Sequence, residues 1–157
     1  MPTTAELHAL AALERYLHEH IPISQALGVR VLAAGADGVR LAAPLAPNLN
    51  HRQTAFGGSL SAVAILAAWS CLHVRLRAGV GGFTGRIVIQ RHAMDYLAPA
   101  EGDFVAACAA PAAERWATFE RTLLRRRRAR IALDTDVTVG ERLVARCRGE
   151  YVALLAS

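Results

Sequence analysis

Ala55–Leu72 reads AFGGSLSAVAILAAWSCL, eighteen residues without a charge. By length alone such a run could cross a bilayer. Its content argues otherwise. Gly57, Gly58, Ser59, Ser61, Ser70 and five alanines leave little apolar bulk to place in lipid. A helix covered on most sides inside a folded protein accounts for it better, and no membrane association is expected. The helix should run from about Gly57 to Arg77, where Gly79, Gly81 and Gly82 stop it.

The flanks say what covers it. Upstream, Thr3-Thr4-Ala5-Glu6 has capping-box spacing, and Leu7, Leu10, Leu13, Leu17 and Ile21 form one apolar stripe, predicting a helix over residues 4–20. Two short runs, Gly28–Ala33 and Val39–Pro44, joined by Ala34-Gly35-Ala36-Asp37-Gly38, read as a hairpin. Pro44–Thr54 has loop composition. Downstream, Thr84–Leu97 and Asp103–Ala110 have strand composition. Ala112–Arg126 reads as a short amphipathic helix, with a strand as the alternative. Ala129–Val139 and Arg142–Leu155 close the chain around a Gly140-Glu141 turn. A central helix with no charged face, followed mostly by antiparallel strands, is satisfied by a curved sheet of five or six strands wrapped around it. The expectation is an α+β hot-dog fold. Such a sheet leaves open edges, so pairing with a second copy into a homodimer is expected.

Composition agrees with one folded domain over residues 1–157. Apolar residues make up 54% and charged residues 20%, which excludes wholesale disorder. The formal charge is +5, and all eighteen basic residues are Arg. With the abundant Ala, this reflects a GC-rich coding sequence more than a function. The charge suits anionic partners without choosing among phosphate, nucleic acid and acidic lipid. Cys71, Cys108 and Cys147 form no C-x-x-C pair and sit in apolar stretches. Buried free thiols, no metal site and a reducing cytoplasm are the expectation. MPTTAELHAL lacks the basic-then-apolar order of a secretory leader.

The stretch Pro47-Asn48-Leu49-Asn50-His51-Arg52-Gln53-Thr54-Ala55-Phe56-Gly57-Gly58-Ser59-Leu60 resembles the signature of the hot-dog thioesterases. It is most similar to the thioesterase family named for the YiiD C-terminal domain, with its loop Asn, Thr-x-Phe-Gly-Gly-Ser turn and apolar helix. Ile21-Pro22-Ile23, Asp95–Asp103 (DYLAPAEGD) and Arg148-Gly149-Glu150-Tyr151-Val152 extend the similarity over about 130 residues. The resemblance implies acyl thioesters of coenzyme A or of acyl carrier protein as substrates. It also implies dimers, sometimes tetramers, with sites at subunit interfaces. No cofactor is implied beyond coenzyme A as part of the substrate.

Thioester hydrolysis needs an oxyanion site and an activated water. Phe56-Gly57-Gly58 leads into the long helix, whose first N–H groups lack intrahelical partners and carry the positive end of the dipole. A carbonyl placed there would be polarised, and glycine removes the Cβ from its approach. Close packing of the helix start is the other reading of Gly57 and Gly58. The wider hot-dog pattern places an Asp or Glu about seven residues past the second Gly. Here that position is Ile65, and no acid lies between Thr54 and Ala78. Asn50, His51 and Asp95 remain as candidates. Asn50 matches the loop Asn of the family and could orient water or carbonyl. His51 has the side chain suited to proton transfer near neutrality, or is simply an exposed loop residue. Asp95 is either a base or a strand-end charge paired with Arg. Alternation along Arg86–Leu97 puts it on one face with Ile87, Ile89, Arg91 and Ala93.

Thr54, Ser59 and Ser61 could bind substrate or water, or order the loop and cap the helix. Phe56, Met94 and Tyr96 read as packing or acyl-chain contacts. No G-x-S-x-G elbow occurs, which favours direct water attack. Arg125–Arg128 with Arg130 is a solvated helix end, or a clamp in which Arg127 and Arg128 hold coenzyme A phosphates or an acidic carrier. No aromatic or Gly-rich motif accompanies it, so nucleic acid is not expected as a partner. The competing functions are a non-catalytic acyl-thioester binder, motivated by Ile65, and a dehydratase or hydratase on the same fold.

Overall fold

A computed structural model describes all residues, 1–157. Its elements run α1 (Thr4–His20), α2 (Ile23–Ala26), β1 (Arg30–Gly35), β2 (Gly38–Ala43), a single 3-10 turn (Ala46–Asn48), α3 (Gly57–Gly79), β3 (Arg86–Tyr96), β4 (Phe104–Ala109), α4 (Ala113–Arg126), β5 (Arg128–Val139) and β6 (Arg142–Leu154). All strand pairs are antiparallel, in one six-stranded sheet of order β1-β2-β4-β5-β6-β3. α3 contacts every strand of the sheet. This is the hot-dog arrangement expected from the uncharged run.

The sheet can close on α3 because the helix is small-sided. Ala64, Ala67, Ala68, Ser70 and Cys71 are all buried, alongside Leu60, Val63, Leu66, Leu72 and Leu76. Small residues let the backbone come close, while the leucines fill the gaps between facing strands. The helix is therefore a core element rather than a lipid-facing one. Cys71, Cys108 and Cys147 are free and buried, as expected.

α1 begins at the expected capping box, with Thr3 and Glu6 each accepting from the other's backbone N–H. Its inner face docks on β1, where the Glu14 carboxylate accepts from the Val31 N–H at 2.9 Å. Tyr16 on α1 joins His20, His73 and Trp69 in an aromatic stack, with 4.8 Å between the Tyr16 and His73 ring centres. Burial, the nearby Arg77 guanidinium and His20 together lower the His73 pKa from 6.5 to about 4. An unfolded His73 binds a proton below about pH 6.5, whereas the folded one resists it until pH 4. Stability should therefore be constant above pH 6.5 and decline as pH falls from 6.5 to 4. Allowing for solvent at a half-buried site, the loss is roughly 1–2 kcal/mol. Urea unfolding across that range should show it, and His73→Phe should flatten the profile.

One departure from simple alternation positions the site. β3 pairs with β6 as Ile87↔Ala153 and Ile89↔Tyr151, but then as Arg91↔Glu150 and His92↔Gly149. Gln90 is the extra residue of a β-bulge, and beyond it the strand changes face. Ala145, Cys147, Gly149, Tyr151 and Ala153 of β6 point into the core. Ile87 and Ile89 share that face before the bulge; His92, Met94 and Tyr96 share it after. Arg91, Ala93 and Asp95 are turned outward. The expected single face holding Ile87, Ile89, Arg91, Ala93 and Asp95 does not exist.

β4 is short and pairs only with Thr135–Thr138 of β5. The first half of β5, Arg128–Asp134, has β6 on one side and α4 on the other. An Arg115 guanidinium N–H donates to the Ala132 carbonyl there. Ala112–Arg126 is thus a helix, and it serves as the cover of a sheet edge.

Candidate active site

α3 starts without a side-chain cap. Phe56 is extended; its N–H donates to the Asn48 carbonyl at 2.7 Å, and its own carbonyl accepts from Ser59 at 2.9 Å and Leu60 at 3.2 Å. The N–H groups of Gly57 and Gly58 find no backbone acceptor. They form the positive end of a 23-residue helix. The Tyr96 hydroxyl donates to the Gly57 carbonyl at 2.9 Å, so the β3 ring is pinned over the helix start. A Cβ on Gly57 would lie 3.2 Å from that ring, and one on Gly58 only 2.3 Å from the Phe56 ring. Both glycines therefore face aromatic edges at close quarters. A cavity of about 400 Å³ opens beside them, lined by Thr54, Gly57, Leu60, Tyr96, Leu97 and Ala98, among others. Phe56 and Tyr96 are both more than half exposed at its margin.

The loop before the helix is held by Asn50. Its Oδ1 accepts from the N–H of Arg52 at 2.8 Å and of Thr54 at 3.2 Å. Its Nδ2 donates to Thr54 Oγ1 at 2.8 Å and to the Ala55 carbonyl at 3.4 Å. Both ends of the amide are committed to the loop, so Asn50 orders the chain instead of presenting itself to water. Thr54 borders the cavity with its hydroxyl already accepting from Asn50. His51 is exposed on the loop and forms no hydrogen bond. A second Asn anchors the loop as well. Buried Asn48 donates to the carbonyls of Leu27 at 2.8 Å and Pro44 at 2.7 Å.

Asp95, Ser59 and the Arg127–Arg128 pair do not line this cavity. Asp95 lies outside, opposite Arg146, beside the ion pairs Asp136–Arg146 at 3.2 Å and Asp134–Arg148 at 2.9 Å. It belongs to this charged convex face and not to the helix start. Ser59 is 7% exposed and lies on the opposite side of α3 from Ser61. Arg127 and Arg128 sit where α4 turns into β5, Arg127 in the left-handed conformation with its guanidinium donating to the Ala156 carbonyl. β5 carries them level with Arg86, whereas Tyr96 is level with Val137. About 30 Å of strand separates the two levels. Within one subunit the arginines do not reach the glycine turn.

His92 is the β3 residue that meets α3 next to Tyr96. Turned to the α3 side by the Gln90 bulge, and still exposed, it has its Nε2 3.2 Å from Ser61 Oγ. Gly57, Ser61, Ile65 and Trp69 are spaced four apart on one half-buried side of α3. β3 faces that side: Tyr96 meets Gly57, His92 meets Ser61, and the Trp69 indole N–H donates to the Ile87 carbonyl at 3.0 Å. Ile65, where the wider pattern places an acid, completes an apolar step between them. No Asp or Glu occurs between Asp37 and Asp95.

The helix start thus offers two unpartnered N–H donors beside a cavity, an arrangement suited to an electron-rich oxygen. Residues 10–155 match the family described as "Putative thioesterase (yiiD_Cterm)". The chain belongs to that family. Solved structures share its fold. A protein of unknown function from Chlorobaculum tepidum is 29% identical, with a TM-score of 0.87 over 96% of this chain and 97% of its own. A "putative thioesterase" from Shewanella oneidensis is 25% identical, with a TM-score of 0.80 over 92% and 96%. A Pseudomonas aeruginosa protein described as "Probable Thioesterase" shares the fold at 23% identity, with a TM-score of 0.77 over 99% of both chains. The yiiD_Cterm assignment fixes a thioesterase-like protein with the hot-dog architecture.

Proposed function

We propose that this protein hydrolyses acyl thioesters carried on coenzyme A or acyl carrier protein, by direct attack of water. The observation that carries the reading is the unpartnered N–H pair of Gly57 and Gly58 beside a cavity of about 400 Å³. The thioester carbonyl binds these groups, and the negative charge that develops on its oxygen is met by fixed donors and the helix dipole. Tyr96 holds one wall. Leu60, Leu97 and Ala98 offer an apolar surface to the first part of the acyl chain. Coenzyme A enters only as part of the substrate.

The assembly we propose is a homodimer through β3. This edge strand is eleven residues long and has no neighbour beyond it. Antiparallel pairing of two such strands sets the Arg86 end of one against the Tyr96 end of the other. Arg127 and Arg128 would then lie level with the partner's glycine turn, where phosphates or an acidic carrier would need them. Sedimentation at the dimer mass checks this. Free buried thiols suit a reducing cytoplasm as the site of action.

The test is release of free thiol from a panel of acyl-coenzyme A esters of graded chain length. Steady release above the buffer rate is expected for at least one. Tight binding without release would instead support the non-catalytic binder, the reading that Ile65 favours.

A further inference from the structure

We propose that His92 is the proton acceptor of this hydrolysis, and that Ser61 relays to it the proton of the attacking water. The inference rests on the thioester reading above and assigns the base that reading lacks. Its starting point is the contact of Ser61 Oγ with His92 Nε2 at 3.2 Å. The Ser61 hydroxyl donates to Nε2, which makes the neutral ring with its proton on Nδ1 the matching tautomer.

Position along the helix gives the pair its role. Ser61 lies one turn beyond Gly57 on the same side, about 6 Å along the axis. Side chains on a helix lean toward its N-terminus, so Oγ overhangs the turn made by the two glycines. A water placed between Oγ and the carbonyl carbon is then the nucleophile.

The other groups facing His92 offer no competing base. β6 presents Gly149 opposite, flanked by Cys147 and Tyr151. Burial raises both of those, Cys147 to about 11, with Asp134 adding to it. On β3, Tyr96 is also raised by burial, and Met94 cannot titrate. α3 offers Ser61 and no charged side chain before Arg75. Arg91 and Glu150 are near in sequence but lie on the outer face, 4.0 Å from each other.

The step balances as follows. Water adds to the carbonyl carbon, forming the C–O bond. Its proton passes to Ser61 Oγ as the Ser61 proton passes to His92 Nε2. The carbonyl π electrons move to oxygen and are held by the glycine N–H groups. When the C–S bond breaks, the imidazolium returns its proton through Ser61 to the departing sulfur. One water and one thioester give one carboxylic acid and one thiol. Nothing else is consumed.

His92→Gln, Ser61→Ala and Ser61→Thr test it in the full chain, with thiol release followed across pH and circular dichroism confirming the fold. His92→Gln should lower kcat at least about 100-fold and flatten any acid limb that the wild-type pH–rate profile has. Ser61→Ala should lower kcat about 10-fold or more, and Ser61→Thr, which keeps the hydroxyl, should restore most of it. A folded His92→Gln protein with near-normal rate and an intact acid limb overturns the proposal alone. So does an acyl mass on Ser61 during turnover, because the serine would then be the nucleophile. A wild-type protein silent on every thioester removes the hydrolysis reading and this proposal with it.

Discussion

Gly58→Val should lower kcat/KM for thiol release by at least about 100-fold while leaving the fold intact, because it blocks an oxyanion donor without touching the core. Gly58 is exposed and its φ is not in the left-handed region, so valine meets no backbone strain. A Cβ there falls 2.3 Å from an atom of the Phe56 ring, and that ring is 58% exposed. The ring is therefore free to swing. It and the new methyl groups then cover the N–H pair that a carbonyl oxygen would need to approach. Losing one such donor typically costs 10²–10³ in kcat. Replacing glycine in a helix's first turn has no comparable penalty for stability, and valine is the better helix former. The measurement pairs thiol release with urea unfolding. An unchanged kcat/KM in a folded Gly58→Val protein would move the oxyanion site away from the helix start.

The contrast between Gly58 and Asp95 shows how far the amino-acid sequence reaches. The helix start was legible because two independent signals coincide there: an uncharged run that must be buried, and a Gly-Gly step where its N–H groups open. α1 was legible to the residue because Thr3 and Glu6 satisfy each other's backbone. Asp95 was misplaced because alternation assumes an unbroken strand. The bulge at Gln90 inserts one residue and exchanges the two faces beyond it. A trace of this is visible in the residues themselves. Ile87 and Ile89 fall on odd positions but Met94 and Tyr96 on even ones, with Arg91 and Asp95 odd; only Val88 and Leu97 depart from this. Reading that change of parity would have turned His92 inward. Asn50 shows a different limit. An Asn in a loop hydrogen-bonds its own backbone as readily as a ligand, and only the geometry shows all four bonds committed locally.

A second large effect lies far from the site. Trp116→Ala should destabilise the protein by about 3–5 kcal/mol in urea unfolding. Trp116 is buried on α4, packs against Phe119 at 5.2 Å between ring centres, and lies under the Arg75 guanidinium of α3 at 4.5 Å. Its removal leaves a large void and also frees the arginine, whose share is about 1 kcal/mol. Arg75→Gln, which removes the cation and keeps the indole, should show only that smaller loss. The consequence goes beyond stability, because Trp116, with Phe119 and Leu123, anchors the helix that covers Arg128–Asp134. β4 does not extend along that half of β5, and once α4 loosens, its backbone groups are unpaired and open to another chain. Trp116→Ala should therefore aggregate on mild warming in a concentration-dependent way, while Arg75→Gln stays dispersed. The four consecutive arginines at Arg125–Arg128 oppose this by repulsion at low ionic strength, so added salt should hasten the aggregation. A soluble Trp116→Ala protein that unfolds at the wild-type urea concentration would mean that α4 is not what protects this edge.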